Sequence, residues 1–154
     1  RDLSPGKRAI LADYDNAVLY GDSVTDMLLS RENNRESIVI FVSDHGERVF
    51  DANSQQYGRS NSLSPVDVRQ QYEVPMWIWA SPSYRRRHPE IIRALRHAAN
   101  LPFSTDRLSH LLLFLAGIRT PLYRPQLNPL STRYSATRPR LVRGLYNYES
   151  LIFP

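Results

Sequence analysis

Ile10, Tyr14, Ala17, Val18, Gly21, Val24, Met27 and Leu28 recur at steps of three and four. That period predicts an amphipathic helix of about twenty residues, ended by Asn33-Asn34. The pattern then changes. Ile38 to Val42 is an unbroken β-branched and aromatic run, which predicts a strand over 37–43 covered on both faces. Val74 to Ala80 predicts a second strand, with Pro75 setting its start near an edge or a bulge. Trp77 and Trp79 share one face of it, and core packing is their simplest reading. Residues 46–72 are polar, rich in Ser, Asn and Gln, and without strong periodicity, so they read as a long loop. Pro89 opens a further helix with Ile91, Ile92, Leu95 and Ala99 on its apolar face. Ser104 or Thr105 caps another from Asp106 to Ala116, and Gly117 stops it.

The order helix, strand, loop, strand, helix, helix, tail fits part of an α/β layered domain. Two strong strands do not complete a sheet, so the remainder comes from weaker segments or from elsewhere. The length of 154 residues is one domain's worth, and 42% hydrophobic with 23% charged residues is globular rather than disordered. No run approaches the roughly eighteen apolar residues that span a bilayer. The first residues, RDLSPGKRAIL, have no signal-peptide core and no initiating Met, which points to a fragment or a processed piece. The absence of Cys excludes disulfides, thiolate metal sites and Cys nucleophiles but leaves the compartment open.

The net charge of +5 lies entirely in the tail. Residues 1–118 balance 14 Lys/Arg against 14 Asp/Glu, whereas 119–154 set six Arg against Glu149 alone. Interleaved with Tyr123, Tyr134, Tyr146 and Tyr148, those Arg suggest a surface for anionic lipid or nucleic acid. The competing reading is an irregular tail wrapping the domain, its Tyr packed and its Arg solvated. Five Pro in the tail argue against a basic helix, and basic charge alone is a weak sign of nucleic-acid binding.

Candidate chemistry concentrates where the first strand ends. Asp44 supplies an anionic oxygen and His45 an imidazole nitrogen, both suited to a divalent metal. Neighbours within a strand point to opposite faces, so both reach one ion only if the chain has begun to turn, which Gly46 permits. A polar turn with no metal fits the same residues. Glu47 either orients His45 as a hydrogen-bond acceptor or makes a surface salt bridge. Arg59 either meets a phosphate through charge-assisted bonds or stands in solvent. His110, on an apolar helix, reads as a packed residue. His88 and His97, among Arg85, Arg86, Arg87, Arg93 and Arg96, read as a solvated face.

Tyr14-Asp15-Asn16 with Tyr20 and Asp22, then Phe41 to Glu47 (FVSDHGE), Val74 to Trp79, and Thr105-Asp106 with Ser109 to Ile118 together resemble one family. The chain is similar to the C-terminal part of the catalytic domain of bacterial phosphoethanolamine transferases, sulfatase-like members of the alkaline phosphatase superfamily. The resemblance implies a partial alkaline-phosphatase/sulfatase-like α/β sheet flanked by helices. It assigns residues 1–118 to the C-terminal portion of the catalytic domain and 119–154 to a basic tail packed on it or extending from it. It implies a zinc ion held by Asp44 and His45, with further ligands and a nucleophilic Thr outside this chain. It further implies transfer of phosphoethanolamine from a phospholipid to a cell-envelope glycan or lipid A through a phospho-Thr intermediate. The implied location is the bacterial inner membrane, with the catalytic domain in the periplasm and this piece inactive alone. One departure stands out: relatives often carry His in a Tyr-x-His-Gly loop, and here Tyr57-Gly58-Arg59-Ser60 occupies that place, with no His between 46 and 87. A related sulfatase or phosphodiesterase hydrolase, and a non-catalytic piece binding anionic lipid or nucleic acid through its Arg, remain as alternatives.

Overall fold

Ser4 opens the first element. Its hydroxyl accepts a hydrogen bond from Lys7 N, Pro5 takes the first helical position, and α1 runs Pro5–Glu32. The computed structural model describes residues 3–51 and 55–153. They divide into two compact units, Arg1–Tyr84 with Ser150–Pro154, and Arg85–Glu149. No helix of the described residues is long and apolar enough to cross a membrane.

In the first unit, α1 is longer than its periodicity predicts and buries none of its residues. Only its N-terminal end finds a core: Leu11 packs on Leu3, Val49 and Phe50. Strand β1 (Ile38–Val42) pairs antiparallel with β4 (Met76–Ala80), Phe41 opposite Trp77 and Val39 opposite Trp79. Phe41 and Trp77 stack at 5.1 Å and 6°. The expectation of a strand covered on both faces fails: all of β1 is half-buried or exposed. Among the described residues β1 has only β4 beside it, and the period-free apolar run reports residue type rather than cover.

The expected loop over 46–72 is also corrected. It holds a short hairpin, β2 (Arg48–Val49) with β3 (Tyr57–Gly58), and a helix, α2 (Pro65–Tyr72). Ser64 caps α2 by accepting from Asp67 N at 3.2 Å and donating to Asp67 Oδ2 at 2.8 Å. The hairpin and helix are joined by polar groups. Buried Arg48 donates to Gly58 O at 2.7 Å, to Gln56 Oε1 and to Asp67 Oδ1 at 3.2 Å. Hydrogen bonding among Gln, Ser, Arg and Asp leaves no hydrophobic period, which is why the segment reads as loop.

The strand β4 leads into α3 (Pro82–Arg87), unforeseen because three Arg give it no apolar face. In the second unit α4 (Pro89–Ala98) is followed by a 3₁₀ turn (Thr105–Arg107) and α5 (Leu108–Leu115). The expected Ser104 or Thr105 cap is replaced by that turn, and Ser104 makes no side-chain capping bond. Gly117 does stop α5, at φ 67°, with Gly117 N donating to Phe114 O and Ile118 N to Leu113 O, a Schellman closure. The tail contains a 3₁₀ turn (Pro125–Leu127), a hairpin of β5 (Leu141–Val142) and β6 (Tyr146–Asn147), and α6 (Tyr148–Ile152). Arg107, 1% exposed, is enclosed by tail groups: it donates to Tyr134 Oη, Ser135 O and Arg138 O.

Candidate functional site

The strand β1 ends at Val42, and Ser43 N still donates to Pro75 O at 3.2 Å before the chain leaves the sheet. Beyond it the backbone bends at Asp44. The bend brings the two candidate ligands onto one side, His45 Nε2 lying 3.6 Å from Asp44 Oδ2. Three short bonds hold it: Ser43 Oγ to His45 O at 2.9 Å, His45 N to Asp44 Oδ1 at 2.9 Å, and His45 Nδ1 to Gly46 O at 3.1 Å. A carbonyl oxygen only accepts, so in the neutral ring Nδ1 carries the proton and Nε2 keeps its lone pair. That is the tautomer a metal-ligating imidazole needs, and its orientation is fixed from the backbone. Asp44 is 87% exposed and His45 38%, so both stand open to a ligand.

Gly46 has a different role from the expected one. Its φ is not left-handed; a Cβ there would stand 2.1 Å from Gln70 O. Glycine is required because the turn lies against the last turn of α2, where Gly46 N donates to Gln71 O at 3.0 Å. Gln71, 3% exposed, carries the contact further: its Oε1 accepts from Ser60 N at 2.7 Å and its Nε2 donates to Asp67 O at 3.0 Å. Gln71 therefore ties the Asp-His-Gly turn, through its backbone carbonyl, to the residue next to Arg59, through its buried side-chain amide. Sequence reasoning missed Gln71, Ser43, Arg48 and Asp67. Ser64-Pro65 followed by Asp67 is the one helix-start signal that could have located the supporting helix.

Glu47 makes no hydrogen bond to His45; its Oε1 lies toward Gly58, 3.7 Å from where a Cβ there would stand. Arg59 is exposed, with no side-chain hydrogen bond or ion pair among the described residues. The Asp67 carboxyl is held below its ordinary range by hydrogen bonds from Ser62 and Ser64 and by Arg48, against the opposing effect of burial. His110 is a packed residue: its Nδ1 accepts from Arg124 N at 3.3 Å, and its ring meets Tyr123 edge-on. Among the described residues no group of three or more His, Cys, Asp or Glu is placed to hold a metal ion. Asp44 and His45 suit zinc in donor type and in the free Nε2, and they supply two of the four ligands such a site takes.

The sulfatase family model matches residues 2–118, and the chain belongs to that family. Within it, the chain is 32% identical over 120 residues to the phosphoethanolamine transferase EptA of Salmonella typhimurium, covering 75% of this chain and 21% of the relative. Its fold is similar to the C-terminal periplasmic domain of EptC from Escherichia coli, with a TM-score of 0.78 and 25% identity over 98% of this chain and 43% of that one. The zinc complex of that domain superposes with a TM-score of 0.75 at 24% identity, again over 43% of its chain. The chain thus spans about a fifth of the length of the curated transferase. The small sheets with flanking helices are part of an alkaline-phosphatase-like fold.

Proposed function

We propose that this chain supplies one half of the metal centre of a phosphoethanolamine transferase. The observation that carries the reading is the fixed His45 ring, its Nε2 free beside Asp44 at the end of β1, inside the stretch the family model covers. Asp44 and His45 are the zinc ligands contributed here, and the remaining ligands and a nucleophilic Thr lie outside the chain. Bound zinc supplies acidification of a hydroxyl nucleophile and neutralisation of phosphoryl charge. The chain's own residues orient the imidazole, keep its proton on Nδ1, and leave Glu47 and Arg59 open toward substrate. The donor is a phospholipid and the acceptor a cell-envelope glycan or lipid A, with the phosphoryl group carried on the Thr between them. The parent enzyme sits at the inner membrane with this part in the periplasm, residues 1–118 completing its catalytic domain and 119–154 following as a basic extension.

The exposed apolar side chains of α1, Val18, Leu19, Tyr20, Met27 and Leu28 among them, support a partner surface within the same protein. On this reading the chain alone releases no headgroup. The test is zinc content and transfer activity in the chain joined to its upstream region, with Asp44→Ala and His45→Gln beside the wild type. Loss of zinc and of transfer in both variants is expected. Unchanged zinc stoichiometry would refute the assignment, and free phosphoethanolamine in place of labelled acceptor would make the enzyme a hydrolase.

A further inference from the structure

Formal charge divides along the two units. Arg85–Glu149 carries twelve Arg against Glu90, Asp106 and Glu149, a net +9; the rest carries eight Lys/Arg against twelve Asp/Glu, a net −4. Two of the twelve Arg face one concavity, a cleft of about 420 Å³ lined by Arg124, Gln126, Leu127 and Arg138. Hydrogen bonds fix its backbone on each side. Arg124 N donates to His110 Nδ1 at 3.3 Å, Ser135 N to Gln126 O at 3.0 Å, and buried Arg107 to Arg138 O at 3.0 Å. Arg124 has no side-chain hydrogen bond or ion pair among the described residues. Arg138 meets Asp106 at 3.3 Å, a carboxylate that also faces Arg107 Nε at 3.8 Å and is therefore opposed by two charges.

Beside the cleft, a turn from Thr120 to Tyr123 is closed by Tyr123 N to Thr120 O at 3.1 Å and Leu122 N to Thr120 Oγ1 at 3.3 Å. It holds Leu122 76% exposed, two residues from Arg124. An ordered, exposed Leu next to unpaired guanidinium matches a bilayer boundary, where apolar groups enter the acyl edge and Arg meets phosphate. A polynucleotide offers phosphate without that apolar layer.

We propose that the Arg124–Arg138 cleft binds the phosphate of an anionic membrane lipid, with Gln126 donating a further hydrogen bond and Leu122 entering the acyl boundary. Paired guanidinium bonds give the site its grip, and the surrounding positive field draws the unit to the surface. The site needs no metal at Asp44 and His45, so its failure and the failure of the transferase reading are separate results.

The test is co-flotation of the whole chain with vesicles of phosphatidylcholine, with and without phosphatidylglycerol. Binding is expected only with phosphatidylglycerol, and inorganic phosphate should compete. The pair Arg124→Gln with Arg138→Gln should weaken it about thirtyfold, at one surface-bound Arg per fivefold or so. Removing the same charge from exposed α4, as Arg93→Gln with Arg96→Gln, should cost about threefold or less, because neither residue lines the cleft and each contributes only to the general field. Leu122→Ser should weaken binding about tenfold. If the Gln pair unfolds the unit, the Lys pair at 124 and 138 keeps the charge but not the fork, and a loss of about fivefold is expected. Equal losses from the cleft and α4 pairs, wild-type binding by the Lys pair, indifference to phosphatidylglycerol, or tighter binding to duplex DNA would each overturn the proposal.

Discussion

Gly46→Ala isolates the contact that holds the Asp-His turn. The added carbon would lie 2.1 Å from Gln70 O, 3.0 Å from Gln70 C and 3.3 Å from Gln71 Cα, where ordinary contact begins at 3.4 Å. All three are backbone atoms of the last turn of α2, so no side chain can rotate away. The turn and the helix must separate by 1.3 Å, the difference between 3.4 and 2.1 Å, which stretches the 3.0 Å bond from Gly46 N to Gln71 O past its useful range. Overpacking costs about 1–3 kcal/mol and the lost bond about 1, so the variant should be destabilised by about 2–4 kcal/mol. Both Trp lie in β4, so their fluorescence in urea reports the first unit alone. With a slope of about 2 kcal/mol per molar, the midpoint should fall by about 1–2 M. Gly21→Ala is the control: it makes the same chemical change in the middle of α1 with nothing within 4 Å, and should stabilise by about 0.5–1 kcal/mol. A Gly46→Ala midpoint within error of the wild type, or a shift of the same sign as Gly21→Ala, would refute the reasoning. Nitrogen NMR of His45 gives a second reading: the wild-type neutral ring should carry its proton on Nδ1, and the variant should show both tautomers.

Asp67→Asn leaves Arg48 buried without its charge partner and should cost about 3 kcal/mol at neutral pH. Because the folded carboxyl titrates below its ordinary 3.8, the stability it adds is fully present above 3.8 and is lost as pH falls through the folded value. The gap between wild type and variant in urea midpoints should therefore close only in that acid range; a gap constant from neutral pH to pH 3 or so would reject the pairing. Arg107→Lys cannot reproduce three bonds to Tyr134 Oη, Ser135 O and Arg138 O, and a loss of about 2–4 kcal/mol is expected. Hydrogen exchange at Ser135 N, bonded to Gln126 O, should speed up in that variant, and unchanged protection would count against the role given to Arg107. Gln71→Ala removes the acceptor of Ser60 N and should destabilise the first unit by about 1–3 kcal/mol, read by the same Trp signal.

The elements that rest on hydrophobic period or on glycine were legible in the chain. β1, β4, α4 and the Gly117 stop fall where their patterns put them, because each rests on a local signal, and α1 ends at Asn33 as expected but starts earlier, at the Ser4-Pro5 cap. The hairpin and α2 did not show, since their contacts run through Arg48, Gln56, Asp67 and Gln71, and hydrogen bonds of this kind leave no period. The exposure of β1 was equally hidden: residue type tells what a strand prefers, while cover depends on what lies beside it. At the site, the bend at Asp44 followed from the need to bring two neighbouring side chains together, and the structure has it. Gly46 was named for its torsional freedom and turns out to matter for its missing side chain. That distinction lies in the packing of Gln70, which no reading of the turn alone could supply.

The geometry of the Asp44–His45 pair is set within the first unit, and this bears on how a metal would bind. Gly46 O fixes the imidazole, Gln71 O fixes Gly46, and Gln71 is fixed in turn by Ser60 N and Asp67 O. A ligand pair ordered in advance has already met the entropy cost of placing its side chains. On the proposed reading, the isolated chain binds zinc weakly because it offers two donors, not because those donors wander. Two consequences separate these causes. A small chelating donor in solution, such as free imidazole, should raise zinc affinity for the wild-type chain by filling open positions. It should do so less in Gly46→Ala, where the pair is no longer held, even though both ligands remain.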